Sequence, residues 1–129
     1  MEIAVRTALL AWLSADGALA AQLNAIAEEA PARTALPWLA ISASASADWS
    51  AKDVAGREVR VALELHCRGD QPAAAGDLVS AIEARIAALP AGQSTCQVVS
   101  NTFLRARAEM RAANTRAVLL EYRFRVLAA

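Results

Sequence analysis

Apolar side chains recur every three to four residues in two stretches of the chain, and this spacing predicts two main helices. The first covers residues 2–14, and Asp16–Gly17 allows it to stop before a short second helical turn at 18–26. The other begins at Pro72, with Asp70 as its expected N-cap, and continues to about Leu89. Three side chains of this helix are expected to face water: Asp77, Glu83 and Arg85.

Four further segments have the extended pattern of strands. The clearest is Arg57–Cys67, where apolar residues alternate strictly with polar ones, as is typical of a strand with one buried face. Trp38–Ser44 and Thr115–Leu127 alternate in the same way, while Gln97–Met110 is long and irregular, and RAAN at 111–114 is expected to form the last turn. The two most regular strands are predicted to face the core with Val59, Val61, Leu63, Leu65 and Cys67, and with Val118, Leu120, Tyr122, Phe124 and Val126.

The order of these elements predicts an α+β fold. Helix, strand, loop, strand, helix, strand and strand form a two-layer domain, with a mostly antiparallel sheet and the two main helices packed on one face. The 129 residues are most simply one domain, 1–129, and they are enough to bury a sizeable core.

The sequence SASASADWSAKD lies between the first two predicted strands. Because its residues are small and polar, we interpret 43–56 as a mobile loop, and a loop of this length in a compact domain is either functional or disordered. Trp49 lies within it, flanked by Asp48, Lys52 and Asp53. An exposed tryptophan in a loop is a candidate binding anchor.

Charge and cysteine content narrow the functions open to the chain. Thirteen basic residues balance thirteen acidic ones, so no strong field attracts nucleic acid or an anionic membrane. No apolar run approaches the roughly 18–20 residues of a membrane-spanning helix, and the first residues lack the basic region of a secretory signal. Cys67 and Cys96 have no CxxC spacing, which favours two free thiols in a reducing, cytosolic compartment.

Few residues offer catalytic or metal-binding chemistry. His66 is the only histidine and shares the polar face of its strand with Glu64. A metal site usually has three or four ligands, so a solvated or interface histidine is favoured over a metal ligand or a base. Cys67 falls on the buried face, where an inert thiol is expected. Without a serine triad or a glycine-rich phosphate loop, we expect no enzyme activity, no cofactor and no metal.

Arginines concentrate on the last two predicted strands. Arg105, Arg107 and Arg111 lie on one strand, and Arg116, Arg123 and Arg125 lie on the next. If these strands pair, they form a face of mixed charge with an excess of arginine. This face is either an exposed sheet surface or a subunit interface, since arginine is enriched at interfaces.

Four stretches of the sequence together resemble the tail completion, or tail terminator, family of long-tailed bacteriophages and phage-like gene transfer agents. They are ALLAWLSADGALAAQL (8–23), APARTALPWLAIS (30–42), GREVRVALELHCRGDQPAAAGDLVSAIEARIAAL (56–89) and AEMRAANTRAVLLEYRFRV (108–126). In the second, Pro37 and Trp38 match the family's Pro-aromatic pair at the start of a strand. Two details depart from the family: AIAEEAP precedes the first proline, and AANT forms the final turn where Asp-Gly is frequent.

The resemblance implies a structural role without catalysis. Such proteins form rings, usually of six subunits, that cap the head-proximal end of the tail tube, end its polymerisation and present a surface to the head connector. The implied partners are further copies of the chain, the tail tube protein and a connector or stopper protein, first in the bacterial cytoplasm and then in the particle. The candidate interface residues are Asp48, Trp49, Lys52, Asp53, Arg105, Arg107, Arg123 and Arg125.

Two other functions remain open from the sequence. One is a different head–tail connector component, such as the stopper, with a similar size and setting. The other is a small cytosolic α+β domain that binds a ligand or serves an enzyme as a subunit, for which His66 and Glu64 are the best support.

Overall fold

The computed structural model describes residues 1–129 as three helices and a five-stranded sheet, so the predicted α+β fold is confirmed. The strand order is β1-β2-β3-β5-β4. Only the short β1–β2 pair is parallel, and the other pairs are antiparallel. The elements are α1 Glu2–Ser14, α2 Gly17–Gln22, β1 Ile26–Ala27, β2 Trp38–Asp48, β3 Gly56–Arg68, α3 Pro72–Ala87, β4 Cys96–Arg111 and β5 Thr115–Ala128.

The core lies between the helices and one face of the sheet. All ten residues predicted to face it from β3 and β5 are buried, and Phe124 is among the side chains with no exposed surface. From the helices, Leu9 and Leu13 of α1 and Ile82 and Ile86 of α3 are also fully buried. Burying one such side chain contributes roughly 1.5–3 kcal/mol, so the alternation in β3 and β5 fixes which face carries the helices.

The prediction of a loop over 43–56 is wrong for its first half, because β2 continues to Asp48 and pairs with β3 along its length. Only residues 49–55 lie between the two strands, and the Trp49 N–H donates to the Gly56 carbonyl at 3.0 Å. A Cβ at Gly56 would lie 2.5 Å from the Trp49 carbonyl oxygen, so this close approach requires glycine.

The alternation of serine and alanine in β2 places serine on the helix-facing side of the sheet and alanine on the opposite side. Ser44 and Ser46 pair with Val61 and Val59, whose side chains face the helices. The Ser44 hydroxyl donates to the Glu2 carboxylate at 2.6 Å and accepts from Arg6 at 2.9 Å. The pattern is therefore that of a strand whose polar side chains bind the start of α1.

Two details around the predicted helices are corrected by the structure. Gln71, not Asp70, is the N-cap of α3, and its side chain makes no capping hydrogen bond. The Asp70 carboxylate lies beside Arg68 instead, at 3.6 Å. Arg85 was expected to face water, but its guanidinium lies 3.4 Å from the centre of the Trp12 ring.

Candidate interaction surfaces

The face of the sheet opposite the helices, here called the open face, carries no helix. Strand alternation and register place long charged side chains on its β3, β4 and β5 strands and only small side chains on most of β2. Its main members are Ala43, Ala45, Ala47, Glu58, Arg60, Glu64, His66, Arg105, Arg107, Glu109, Glu121, Arg123 and Arg125.

One end of the open face carries a packed cluster around His66. The Trp38 ring stacks on the imidazole with ring centres 4.0 Å apart, and the His66 Nε2 lies 3.0 Å from Glu64 Oε1. Arg111 Nη1 donates to the same Glu64 oxygen at 2.8 Å and its Nε donates to Glu109 at 3.0 Å. Stacking on Trp38 and the contact with Glu64 therefore hold the imidazole in place.

The side chains that could bind a metal or act as a nucleophile are dispersed or buried. The structure brings no three His, Cys, Asp or Glu side chains together as metal ligands. Cys67 and Cys96 are both free and buried, and burial raises the pKa of each thiol, which disfavours the reactive thiolate. None of the helices has the length and hydropathy to cross a membrane.

At the other end of the open face, three of the predicted interface residues lie close together: Trp49, Arg123 and Arg125. Glu58 Oε1 accepts from Arg125 Nε at 3.1 Å and lies 3.8 Å from Arg123 Nε. The Arg125 guanidinium also lies 5.7 Å from the centre of the Trp49 ring, within the range of a cation–π contact. Trp49 and Arg125, far apart in sequence, therefore belong to one surface.

The other predicted interface residues from this part of the sequence lie at the tip of the β2–β3 hairpin. Asp48, Lys52 and Asp53 are exposed, and the Asp48 carboxylate accepts from the Ser50 hydroxyl at 2.7 Å. Trp49 is half-buried rather than freely exposed, because its backbone belongs to the hairpin and its ring lies beside Arg125.

Strand β4 is the most exposed part of the sheet. Arg105 and Arg107 pair with Glu121 at 3.0 Å and Glu109 at 3.3 Å, yet their side chains remain 60% and 64% exposed. Such exposed ion pairs add little to stability. These two arginines are therefore available to a partner.

Sequence reasoning missed the apolar side chains that β4 exposes. Val99, Phe103 and Met110 are 51%, 48% and 53% exposed, and only Ile3 is another large apolar side chain in this state. Register shifts at 98/100 and 103/105 interrupt the alternation, and no helix covers the strand beyond them. Because these side chains are spread along an edge strand, they are candidate contacts for another chain.

The largest groove of the molecule lies between α1 and the residues that follow α3. It is lined by side chains such as Ile3, Thr7 and Ala11 on one side and Pro90 and Gln93 on the other. None of its lining residues is an acid, a histidine, a cysteine or a lysine, and its only hydroxyls are those of Thr7, Ser94 and Thr95.

Comparison with known proteins identifies the family. A model described as tail completion protein gp17 matches residues 7–127. The chain therefore belongs to the tail completion protein family, which confirms the resemblance seen in the sequence and makes the chain a structural protein of tail assembly.

No curated protein sequence matches the chain. A chain from a solved structure of the virion of a native gene transfer agent (GTA) particle matches with a TM-score of 0.79 and 23% sequence identity. The match covers 96% of this chain and 95% of that chain, so the two share the whole fold.

Proposed function

We propose that the protein is a tail terminator: copies of the chain form a ring, with six subunits, that caps the head-proximal end of a tail tube. The ring ends tube polymerisation and presents a surface to which the head connector binds. Family membership supports the tail role. Self-assembly is supported by β4 of this chain, an edge strand that exposes Val99, Phe103 and Met110.

The ring requires a contact between two different surfaces of the subunit, because only a head-to-tail contact closes into a cyclic oligomer larger than two. We assign Arg105 and Arg107 on β4 to one side of this contact. The hairpin tip with Asp48, Lys52 and Asp53 contributes to the contact with a neighbour or with the tube. Trp49, Arg123 and Arg125 form the adjoining part of the open face.

The proposed role needs no catalytic residue and no cofactor. Binding is to copies of the chain, to the tube protein and to a connector or stopper protein, without recognition of a nucleic-acid sequence or a membrane. Assembly takes place in the bacterial cytoplasm, and the ring then remains at the head-proximal end of the tail in the particle.

The experiment combines native mass spectrometry with negative-stain microscopy of the purified protein, alone and with tail tubes. The proposal predicts rings, free or seated on one end of each tube. A protein that stays monomeric, never binds tubes and instead binds a metabolite would contradict it. Binding to the head connector but not to the tube would instead assign the protein as a stopper-type component.

A double variant tests the role of β4 in this assay. Phe103→Ser with Met110→Ser removes two exposed apolar side chains and should reduce ring formation while leaving the monomer folded. Ile3→Ser is the matched control, because Ile3 is 78% exposed and lies on α1 rather than on β4. Equal loss of assembly in both variants would count against a specific role of β4.

A further inference from the structure

The outer edge of β2 has backbone groups with no partner in the chain. Strand β1 pairs only with Leu39 and Ala40, and no strand lies beside the rest of β2. The Trp49–Gly56 hydrogen bond fixes the phase of the β2–β3 ladder, and bonded pairs alternate in an antiparallel ladder. The N–H and C=O groups of Ser44, Ser46 and Asp48 therefore point away from β3.

This edge lacks the usual protection of an edge strand. Natural edges carry lysine, proline or inward-pointing charges, or are covered by another element. Between Ala43 and Asp48 the side chains are only serine and alanine. Hydrogen bonds from Ser44 to Glu2 and from Arg57 to Ser46, at 2.6 and 3.1 Å, hold the strand against its neighbours. The segment is a rigid, uncovered template for another strand.

The opposite edge of the same sheet, β4, has the opposite net charge. Residues 26–48 carry three acidic side chains and one basic side chain, and the neighbouring Glu2 and Arg6 cancel. Strand β4 carries three basic side chains and one acidic side chain. A strand from another copy thus meets an edge of opposite net charge, and its arginines meet the small alanines of β2.

The strand directions allow this contact to repeat. Because β2–β3, β3–β5 and β5–β4 are each antiparallel, β2 and β4 run in opposite directions within one subunit. Copies related by rotation about an axis along the strands would therefore place β4 of one copy antiparallel to β2 of the next. The open faces of all copies would then lie on the same side.

We propose that the Ser44–Asp48 edge of β2 pairs through backbone hydrogen bonds with β4 of a second copy, so that one sheet continues across the subunit boundary. This inference rests on the proposed ring and specifies its contact. The partner surface is the backbone of β4, and the flanking arginines and apolar residues of β4 select the pairing.

A proline at position 46 tests the backbone contact directly. Ser46→Pro removes the outward-pointing N–H together with the hydroxyl bound by Arg57, at an edge position where proline is tolerated. It should weaken ring formation, with or without tubes, by about tenfold or more, since proline also blocks the approach of a strand. Ser46→Ala is the matched control, because it loses the hydroxyl bound by Arg57 but keeps the N–H, and it should assemble as the wild type does.

Hydrogen–deuterium exchange gives a second readout that does not depend on whether the proline variant folds. In the wild type, the amides of Ser44, Ser46 and Asp48 should exchange rapidly in the monomer and become protected in the ring, together with amides of β4. The amide of Ala45, which already bonds to β3, serves as the internal reference.

The outcomes separate this inference from the function on which it rests. If the wild type forms rings but Ser46→Pro does so equally well, or the three amides stay unprotected, edge pairing is wrong and the ring stands. Protection of β2 without protection of β4 would overturn β4 as the partner and indicate a strand of the tube protein. If the wild type never assembles, even on tubes, both proposals fail.

Discussion

At the scale of single residues, Trp12 and Arg85 connect the two main helices. The Trp12 Nε1 donates to the Arg85 carbonyl at 2.6 Å, and the Arg85 Nε donates to the Trp12 carbonyl at 2.8 Å. The guanidinium lies on the indole face at 3.4 Å. The two carbonyls lie in the last turns of α1 and α3, where helices leave carbonyls unpaired, and the Arg85 carbonyl also accepts from the Ala88 N–H at 3.2 Å.

Arg85→Ala should lower the free energy of unfolding by about 1–3 kcal/mol, because it removes a hydrogen bond from a charged group and the contact with Trp12. Urea denaturation followed by tryptophan fluorescence measures this change. Arg33→Ala is the control, because Arg33 is exposed and forms no ion pair, and it should stay within about 0.5 kcal/mol of the wild type. Similar losses in both variants would contradict the role of the Trp12 contact.

Trp49→Ala should leave the subunit folded and weaken assembly, since the half-buried ring contacts Arg125 at the surface rather than the core. Thermal unfolding and native mass spectrometry together measure the two effects. Trp38→Ala is the contrasting variant, because Trp38 is buried and stacked on His66, and it should destabilise the fold. If Trp49→Ala unfolds the subunit, Trp49 is a structural residue and not part of an interface.

At the scale of elements, β2 shows where sequence patterns fail. In β3, Val and Leu alternate with Glu and Arg, so both the strand and its buried face could be predicted. In SASASA the same period is present, but alanine and serine differ too little in hydropathy to indicate a buried face. Pairing with β3 and hydrogen bonds to α1 decide the conformation of this stretch, and these are contacts between distant residues.

The contact between β2 and α1 should make stability depend on pH. Hydrogen bonds from Ser44 and Ser46, and then the charge of Arg6, lower the pKa of Glu2 below its ordinary 4.5. A carboxyl with a lowered pKa stabilises the fold above its unfolded pKa, and this contribution is lost as the pH falls through the folded pKa. Glu2→Gln should therefore be less stable than the wild type at neutral pH, and the gap should narrow below pH 4.5.

Urea denaturation across a pH series measures that gap. Ser44→Ala should reproduce part of the Glu2→Gln effect, because it removes the first hydrogen bond to the carboxylate. Ser42→Ala should not, since the Ser42 hydroxyl binds the Ala62 carbonyl instead. A gap that stays constant down to acidic pH would show that ionised Glu2 does not stabilise the contact.

The candidate surfaces were only partly predictable from the sequence. Arg105 and Arg107 could be assigned to an exposed strand because arginines alternate along it. The meeting of Trp49 with Arg125 could not be predicted, since it depends on the register between β3 and β5. Exposure of Phe103 and Met110 depends on how much of β4 the helices cover, and no local pattern encodes that coverage.

At the scale of the whole molecule, the balanced charge of the chain conceals an uneven distribution. The segment 26–48 at one side of the sheet is net acidic, and β4 at the other side is net basic. Two different edges with opposite charge favour a head-to-tail contact over a two-fold one. This distribution agrees with the proposed ring, in which every copy would use both of its edges.

Capping of a tail tube is the central claim, and a tube-elongation assay tests it most directly. Preformed tubes are incubated with the protein, labelled tube protein is then added, and new growth at each end is scored by electron microscopy. If the protein is a tail terminator, a ring lies on one end of each tube and that end does not grow, while untreated tubes continue to grow. Continued growth from ends that carry the protein, or no protein at either end, would contradict it.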